Sequence, residues 1–288
     1  MHIITKWKGA PLMADYPCYC LTEKHRGGFF ACVFSAFKNI VAIYNTTSLL
    51  PSEIKIRGLS DYINSEELYK YTSSGIYQLF FKKNDGINIY KHLFDLGLPE
   101  HHKIPIAFAS RPYSEIKFNQ VFPFWNRFFA PSKEIWNAAE NFITKYNINI
   151  KETLGVYYRG TDKKTEEQLP EYSDYIKKAK QMFQNGNYKK IIVQTDEEDC
   201  YKAFKTEFKD QAFRIEENLF SQTGNGVHKE LRGTDQISSH SINMFATILL
   251  FSSLPSFLIN TSHVSYAMVM YRGNLDNVIQ YRRGNFLS

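Results

Sequence analysis

The sequence predicts an α/β protein made of two Rossmann-like halves that face a cleft. Two observations indicate this class. Through residues 149–288, short apolar runs typical of buried strands alternate with longer segments of helical spacing. Repeated strand–helix units of this kind predict a parallel sheet with helices on both faces. The first half, residues 1–148, shows a less regular mixture of the same elements.

The second half has the clearer pattern. Its first strand ends at Arg159, and Asn185-Gly186 is a stop signal for the helix that follows. A long, mostly apolar helix precedes the last buried strand. The predicted order is strand 154–159, helix 172–183, strand 190–195, helix 197–208, strand 212–215, helix 236–253 and strand 256–260.

The first half opens with a glycine loop, and the spacing of its apolar residues defines fewer helices and strands. Ser132 is a typical N-cap, and it begins the clearest helix of this half. The predicted elements are helix 29–37, strand 39–44, strand 76–81, strand 104–109 and a helix from 132 to about 146. The polar segment 147–151 follows, so we predict one domain over 1–148 and a second over 149–288.

Composition and charge narrow the classes of ligand. The chain has 288 residues, of which 43% are hydrophobic and 16% aromatic, which is enough for a large core. Its formal net charge is +6, and a basic balance suits nucleic acid, an anionic membrane surface or a small anionic ligand. The lysines and arginines are spread along the chain, so a phosphate-bearing small ligand fits better than nucleic acid.

The cysteine spacing does not indicate the disulfide framework of a secreted protein. Cys18 and Cys20 are too close in sequence for one, which favours a reducing compartment. Cys18, Cys20, His25 and Cys32 have the atom types of a zinc site, but the Cys-x-Cys spacing is tighter than usual, and buried or idle thiols are the favoured interpretation. The longest apolar run, 244–251, falls short of the roughly 20 residues of a membrane span, so no transmembrane segment is expected.

The segment Gly155-Val-Tyr-Tyr-Arg-Gly-Thr-Asp-Lys163 carries the functional argument, because it lies at the carboxyl end of a predicted strand. There, Arg159 can direct two donors to phosphate oxygens, and Thr161 can add a hydroxyl. Asp162 can hold Arg159 or Lys163 in place. The alternative is a surface salt bridge at a strand end, followed by a solvated turn.

This segment resembles the signature of the fucosyltransferase superfamily that includes the core α1,6-fucosyltransferases and the nodulation fucosyltransferases, which have the GT-B fold. Their pattern reads approximately Gly-Val-His-x-Arg-Arg-Thr-Asp-Lys, followed by a glutamate. Tyr157 stands at the position of the histidine that helps to bind the base, and Gly160 at that of the second arginine. The resemblance implies the catalytic residues Arg159, Asp162, Lys163 and Glu167, with Glu166 as the alternative to Glu167.

Further positions match in order and spacing. The family has a strand ending in Ala-Thr-Asp-Asp, whose carboxylates contact guanine, and a later Thr-x-Ser-Ser segment near the diphosphate. The corresponding segments here are Gln194-Thr-Asp-Glu197 and Asn260-Thr-Ser-His263. The resemblance therefore implies donor-binding roles for Tyr157, Arg159, Asp196, Glu197, Ser221, Thr261, Ser262, His263, Gly27 and Gly28.

The implied activity is an inverting transfer of fucose from GDP-fucose to a glycan hydroxyl, with the second domain binding the nucleotide sugar and the first facing the acceptor. No Asp-x-Asp triplet occurs, so we expect neither a metal nor another cofactor. Two alternatives stay open: another nucleotide sugar, or a binding module without chemistry. Eukaryotic Golgi members carry a membrane anchor, so we expect a cytoplasmic protein of bacterial or viral type.

Overall fold

A computed structural model describes residues 27–65, 75–99 and 101–288 in full, together with the backbone of 19–22. The helices are α1 (Phe29–Thr47), α2 (Gly75–Phe80), α3 (Ile89–Asp95), α4 (Phe118–Phe129), α5 (Lys133–Lys145), α6 (Tyr172–Asn185), α7 (Glu198–Phe208), α8 (Val227–Glu230), α9 (Ile237–Ser253) and α10 (His263–Arg272). The strands are β1 (Tyr19–Thr22), β2 (Glu53–Ile56), β3 (Phe81–Lys82), β4 (Ala130–Pro131), β5 (Thr153–Tyr158), β6 (Lys190–Thr195), β7 (Ala212–Phe213), β8 (Ser256–Asn260), β9 (Val278–Arg282) and β10 (Asn285–Leu287).

The second half folds around a six-stranded sheet with the order β10-β9-β8-β5-β6-β7. The five strands from β9 to β7 are parallel, and β10 pairs antiparallel with β9. Helices α6 and α7 cover one face, and α9 and α10 cover the other. The predicted parallel sheet with helices on both faces is confirmed. The first half contains two smaller sheets, the parallel pair β1–β2 and the antiparallel pair β3–β4.

Strand β5 lies at the centre of the large sheet, and its residues are all buried. Val156 and Tyr158 face the core under α6 and α7, whereas Tyr157 faces the core under α9 and α10. A Cβ atom on Gly155 would lie 2.8 Å from a methyl carbon of Leu254 and 3.0 Å from the ring of Phe251. The glycine therefore permits the end of α9 to approach the sheet closely.

Helix α1 corrects the prediction of a helix at 29–37 followed by a strand at 39–44, because one helix covers both segments. Its buried residues include Phe37, Ile40, Val41 and Tyr44, which recur at helical spacing. The β-branched residues favour a strand locally, but packing of this face in the core decides the outcome.

Two other strand predictions were wrong. Residues 76–81 form most of α2 and the first residue of β3, and their buried side chains have helical spacing. Residues 104–109 form no strand. The backbone N–H and carbonyl of Ile104 bond to the Asn45 side chain, at 2.8 and 3.0 Å, so that position has no vacant groups for a neighbouring strand.

Among the described residues, one helix, α1, is long and apolar enough to cross a membrane by length and composition alone. The search for uninterrupted apolar runs in the sequence did not select this segment, because polar residues interrupt it. In the structure, 61% of its apolar window is buried inside the protein. Packing in the core accounts for its composition.

One core joins the two predicted domains. Helix α1 packs against α10, and α9 packs against α5. The same cluster of buried side chains runs from Phe29 to Val278. The proposed division at residues 148 and 149 stays a prediction, and the elements on either side of it share one apolar interior.

We predict that Gly155→Ala destabilises the protein by about 1–3 kcal/mol, since the added methyl group overpacks the contact with Leu254 and Phe251. Urea unfolding measures the change. Gly86→Ala is the control, because its added Cβ would meet only Asn84 Oδ1, at 3.4 Å, and it should change stability by less than about 0.5 kcal/mol. Equal effects of the two substitutions would contradict the packing argument.

Candidate functional site

A cavity of about 450 Å³ lies beside the carboxyl ends of β5 and β6. Its wall comes from both predicted domains: the start of α1, the ends of the two strands, one face of α9 and the start of α10. Ligands of open parallel sheets bind at this edge, where the strands end. Of the predicted residues, Gly27, Gly28, Tyr157, Arg159, Asp162, Lys163, Glu166, Asp196, Ser262 and His263 line the cavity.

Two helix amino termini reach the cavity. Gly28 is the N-cap of α1 and has an extended backbone, with no side chain to cover the first amides of the helix. Ser262 caps α10, and its hydroxyl accepts a hydrogen bond from the Ser265 amide at 3.0 Å. Each helix start carries partial positive charge, so the two together favour an anion between them.

Asn260 fixes the end of β5 beside α10. Its side chain accepts a hydrogen bond from the Arg159 amide and donates one to the Arg159 carbonyl, both at 2.8 Å. These bonds extend the pairing of β5 with β8 by one residue. Since Ser262 follows Asn260 by two residues, the same contact places Arg159 next to the start of α10.

The Arg159 side chain, 16% exposed, lies on the cavity wall among polar partners. Its Nη2 contacts Asp162 Oδ1 at 2.5 Å, and its Nη1 contacts Asp196 Oδ2 and donates to Thr161 Oγ1 at 2.6 Å. The guanidinium is thereby held in one orientation between two carboxylates. Asp162 also pairs with Lys229, at 2.8 Å.

Asp196 and Glu197 hold the turn after β5, which was not predicted for them. Asp196 accepts a hydrogen bond from the Gly160 amide at 2.8 Å, and Glu197 accepts one from the Thr161 amide at 3.0 Å. The Glu197 carboxylate also pairs with Lys164 and accepts a hydrogen bond from the Tyr172 hydroxyl, each at 2.8 Å. Asp196 lines the cavity, whereas Glu197 is not among the residues that do.

Gly160 shows why the second arginine of the family pattern does not fit here. A Cβ atom at this position would lie 2.1 Å from the Glu197 carboxyl group. The carboxylate therefore occupies the space that any side chain would need. Thr161, the next residue, has a φ of 23°, an uncommon backbone conformation that its hydrogen bonds to both acids support.

The two candidate bases point in different directions. Glu166 lines the cavity and pairs with Lys163, at 2.8 Å. Glu167 accepts a hydrogen bond from the Arg283 amide at 3.2 Å and is not among the lining residues. The structure therefore brings Glu166, rather than Glu167, to the cavity together with Arg159.

Two predicted phosphate contacts lie away from the cavity lining. The Ser221 hydroxyl donates to Glu230 at 2.5 Å, within the 221–230 loop. Burial raises the pKa of Glu230, but hydrogen bonds from Ser221, Gln222 and Thr223 outweigh it and lower the pKa to about 2. The Thr261 hydroxyl donates to the Tyr281 carbonyl at 3.0 Å, so it anchors β9.

Sequence reasoning did not select His228, which lines the cavity beside Gly28 and Arg159. Burial, together with the Arg159 charge, lowers the pKa of His228 to about 4, so the ring is neutral near pH 7. Burial also raises the pKa of Tyr157 to about 12, which keeps its phenol protonated. Arg159 and His228 are 69 positions apart in the sequence, so no spacing signal connects them.

No group of three or more His, Cys, Asp or Glu side chains is placed to hold a metal ion within the described part of the chain. Of the four zinc candidates, Cys18 and His25 lie outside the described residues, and only the backbone of Cys20 is described. Cys32 is buried in α1, and burial raises the pKa of its thiol to about 11.

A shallower depression of about 570 Å³ lies between α5 and α9 and contains none of the predicted site residues. Its wall is formed by Lys133, Glu134, Asn137, Ala138, Asn141 and Ile242. The buried polar groups and the helix amino termini meet at the other cavity, which is therefore the candidate site.

No protein-family model and no curated protein matches the sequence. Among solved structures, the chain is similar to a NodZ alpha-1,6-fucosyltransferase soaked with GDP-fucose, with a TM-score of 0.51 and 12% identity over 93% of this chain and 97% of that chain. The same enzyme co-crystallised with GDP gives a TM-score of 0.49 and 13% identity over 93% and 96%.

A structure of POFUT1 in complex with GDP gives a TM-score of 0.39 and 14% identity over 56% of this chain, which spans half (50%) of the POFUT1 chain. The similarity to NodZ extends over nearly the whole of both chains, so it describes the complete arrangement of elements. The fold implied by the sequence motif is confirmed. The chain has the GT-B fold of the fucosyltransferases.

Proposed function

We propose that this chain is a glycosyltransferase that binds a nucleoside-diphosphate sugar in the cavity and transfers the sugar to a glycan hydroxyl. One observation carries the proposal: the amino termini of α1 and α10 and the guanidinium of Arg159 meet at the same cavity. Backbone amides at helix starts and a fixed arginine are the groups that bind a diphosphate.

The diphosphate would lie between Gly27-Gly28 and Ser262-His263, with Arg159 at its side. When the bond between the sugar and the diphosphate breaks, negative charge grows on the leaving oxygen. A cation already held in place stabilises that charge more than it stabilises the bound donor, and this difference accelerates the reaction. Asp162 and Asp196 supply the fixed orientation.

Glu166 is our choice for the general base that takes the proton from the acceptor hydroxyl, since it lines the cavity. Lys163 pairs with the Glu166 carboxylate at 2.8 Å and would hold it in place for this role. The attack by the hydroxyl from the face opposite the diphosphate inverts the anomeric carbon.

The proposed donor is GDP-fucose, the compound soaked into the NodZ crystals whose fold this chain resembles.

We further propose that the reaction needs no metal, because Arg159 and two helix starts supply the positive charge and the sequence has no Asp-x-Asp triplet. Turnover in excess EDTA is the measurement: full activity supports this proposal, and strict manganese dependence contradicts it.

We predict that Arg159→Lys lowers the rate at which GDP is formed from GDP-fucose by about 100-fold or more. A lysine ammonium is a point charge, and it cannot replace the several oriented N–H donors of the guanidinium. The assay is donor turnover with and without a glycan acceptor, alongside thermal unfolding to check the fold. Arg57→Lys is the control, because Arg57 is exposed and is not among the lining residues. Its rate should equal that of the wild type.

Full turnover by Arg159→Lys would contradict the role given to the guanidinium. Tight binding of GDP without any turnover of GDP-, UDP- or dTDP-sugars would instead indicate the non-catalytic alternative.

Glu166 and Glu167 form a matched pair for the base. We predict that Glu166→Gln lowers kcat by about 100-fold or more with little change in donor affinity, because the proton acceptor is lost. Glu167→Gln should retain most of the activity, since the Glu167 carboxylate accepts a hydrogen bond from the Arg283 amide and does not line the cavity. Steady-state kinetics with both substrates distinguishes the two residues, and the reverse order of effects would assign the base to Glu167.

A further inference from the structure

Four cationic side chains lie at the surface next to the candidate cavity. Lys38 belongs to α1, Arg111 lies in the segment before α4, Arg282 ends β9, and Arg283 follows it. Arg111 and Arg283 are exposed, and Lys38 and Arg282 are half-buried. None of the four is among the residues that line the cavity. We call these four residues the basic rim.

A path of side-chain contacts connects the cavity with Lys38. His263, at the start of α10, is exposed and lines the cavity. Its ring centroid lies 5.6 Å from that of Phe34. Lys38 Nζ lies 5.4 Å from the Phe34 ring centroid and 5.7 Å from that of Phe108. The ammonium is therefore held beside two aromatic rings, close to the edge of the cavity.

A second path connects the cavity with the two arginines after β9. Glu166 lines the cavity, and the carboxylate of the next residue, Glu167, accepts a hydrogen bond from the Arg283 amide at 3.2 Å. Arg282 Nε donates to the Ser110 carbonyl at 2.9 Å. The end of β9 is thereby fixed between the cavity and the first half of the chain.

The two paths meet in one turn of the first half. The Arg111 amide donates to the Phe108 carbonyl at 2.8 Å and closes this turn. Lys38 reaches the turn through the Phe108 ring, and Arg282 reaches it through the Ser110 carbonyl. The basic rim is therefore one continuous surface beside the cavity.

The charges of the basic rim are not neutralised within the protein. In the stretches of chain that the structure describes, none of its four cations takes part in an ion pair. By contrast, Lys163, which lines the cavity, pairs with Glu166. Clustered cations without acidic partners create a positive potential that attracts an anion.

Phe108 adds an apolar face to this surface. Its side chain is 54% exposed although it contacts Lys38. A sugar ring presents a flat face of C–H groups, which packs against an aromatic ring. The turn at Phe108 therefore offers a stacking face and positive charge at the same place.

We propose that the basic rim binds an acidic acceptor glycan, one that carries a carboxylate, sulfate or phosphate group. This inference rests on the proposed function. The donor cavity has its own cation, Arg159, so the rim cations serve a ligand that extends out of the cavity. An acceptor glycan does so, because only one of its hydroxyls has to reach the donor sugar. The arginine donors match pairs of oxygens on each of these anionic groups.

Nucleic acids and anionic membranes are attracted by the same charges. Both bind through many phosphates spread over an extended surface. The basic rim consists instead of side chains gathered around one exposed aromatic ring at the edge of the cavity. A short acidic glycan is the partner that fits this arrangement.

The test is isothermal titration of the full chain, in the presence of GDP, with three pairs of oligosaccharides that differ in one kind of anionic group. Hyaluronan tetrasaccharide is compared with its carboxyl-reduced form, chondroitin 4-sulfate tetrasaccharide with its desulfated form, and a 6-phosphorylated mannobiose with mannobiose. We expect the more acidic member of at least one pair to bind at least about 10-fold more tightly than its counterpart. Its affinity should fall about 10-fold or more between about 0.05 M and 0.5 M salt.

Variants then assign the residues. Arg111→Gln and Arg283→Gln should each weaken binding of that acidic glycan by about 3- to 10-fold, and both together by about 30-fold or more. Phe108→Ala should weaken both members of the pair alike, since the ring contacts the sugar and not its charge. Arg57→Gln is the matched control, because it removes an exposed arginine outside the basic rim, and the affinity should not change.

Equal affinity within every pair, or full affinity of the double arginine variant, would overturn the assignment while donor turnover and the proposed function stand. Phosphatidylserine vesicles and a DNA duplex test the other two classes of partner. Tighter binding of either than of every acidic glycan, lost in the same variants, would also overturn it. If GDP does not bind and GDP-fucose is not turned over, the proposed function fails, and the acceptor assignment fails with it.

Discussion

The site depends on the pair of hydrogen bonds between the Asn260 side chain and the backbone of Arg159. Asn260 is 1% exposed, so both bonds are shielded from water, and the loss of either would leave a buried polar group unpaired. The contact joins the ends of β5 and β8, and Ser262 then caps α10 two residues later. One buried amide thus sets both the position of the arginine and the start of the helix that faces it.

The polar groups of the cavity divide into two kinds. Around Arg159, the carboxylates of Asp162 and Asp196 form a charged network, and burial makes such a network expensive to assemble. Burial raises the pKa of Asp162, but Lys229 and Arg159 outweigh it, so the pKa lies below its usual value and the carboxylate stays ionised. Three other polar side chains of the wall are neutral: the amides of Gln194 and Asn218, and His240, whose pKa burial lowers to about 4. The charged groups around Arg159 and these neutral side chains therefore line the same cavity.

Local periodicity predicted the strands β5, β6, β7 and β8 and the helices α6, α7 and α9, because each of these elements carries its own spacing signal, but it did not predict β9, β10 or α10. In the first half, three strand predictions were wrong; the β-branched residues at 40–43, for example, favour a strand locally, and only the packing of α1 shows that they are helical. The motif around Arg159 located one wall of the site. The contact between Asn260 and Arg159 could not be predicted, since the strand order brings the two together across 101 positions and no sequence pattern records that distance. The acids after β6 were selected from the sequence, but their bonds to the turn at Gly160 and Thr161 were not predicted, because that turn exists only in the folded chain.

The central claim is that the diphosphate of a nucleotide lies where α1, α10 and Arg159 meet. A crystal structure of the protein with GDP tests it most directly. The account predicts phosphate oxygens within hydrogen-bond distance of the backbone amides that follow Gly28 and Ser262, and of the Arg159 guanidinium. It would be contradicted by GDP bound at another place on the molecule, with Arg159 still enclosed by Asp162 and Asp196 and the cavity containing only water.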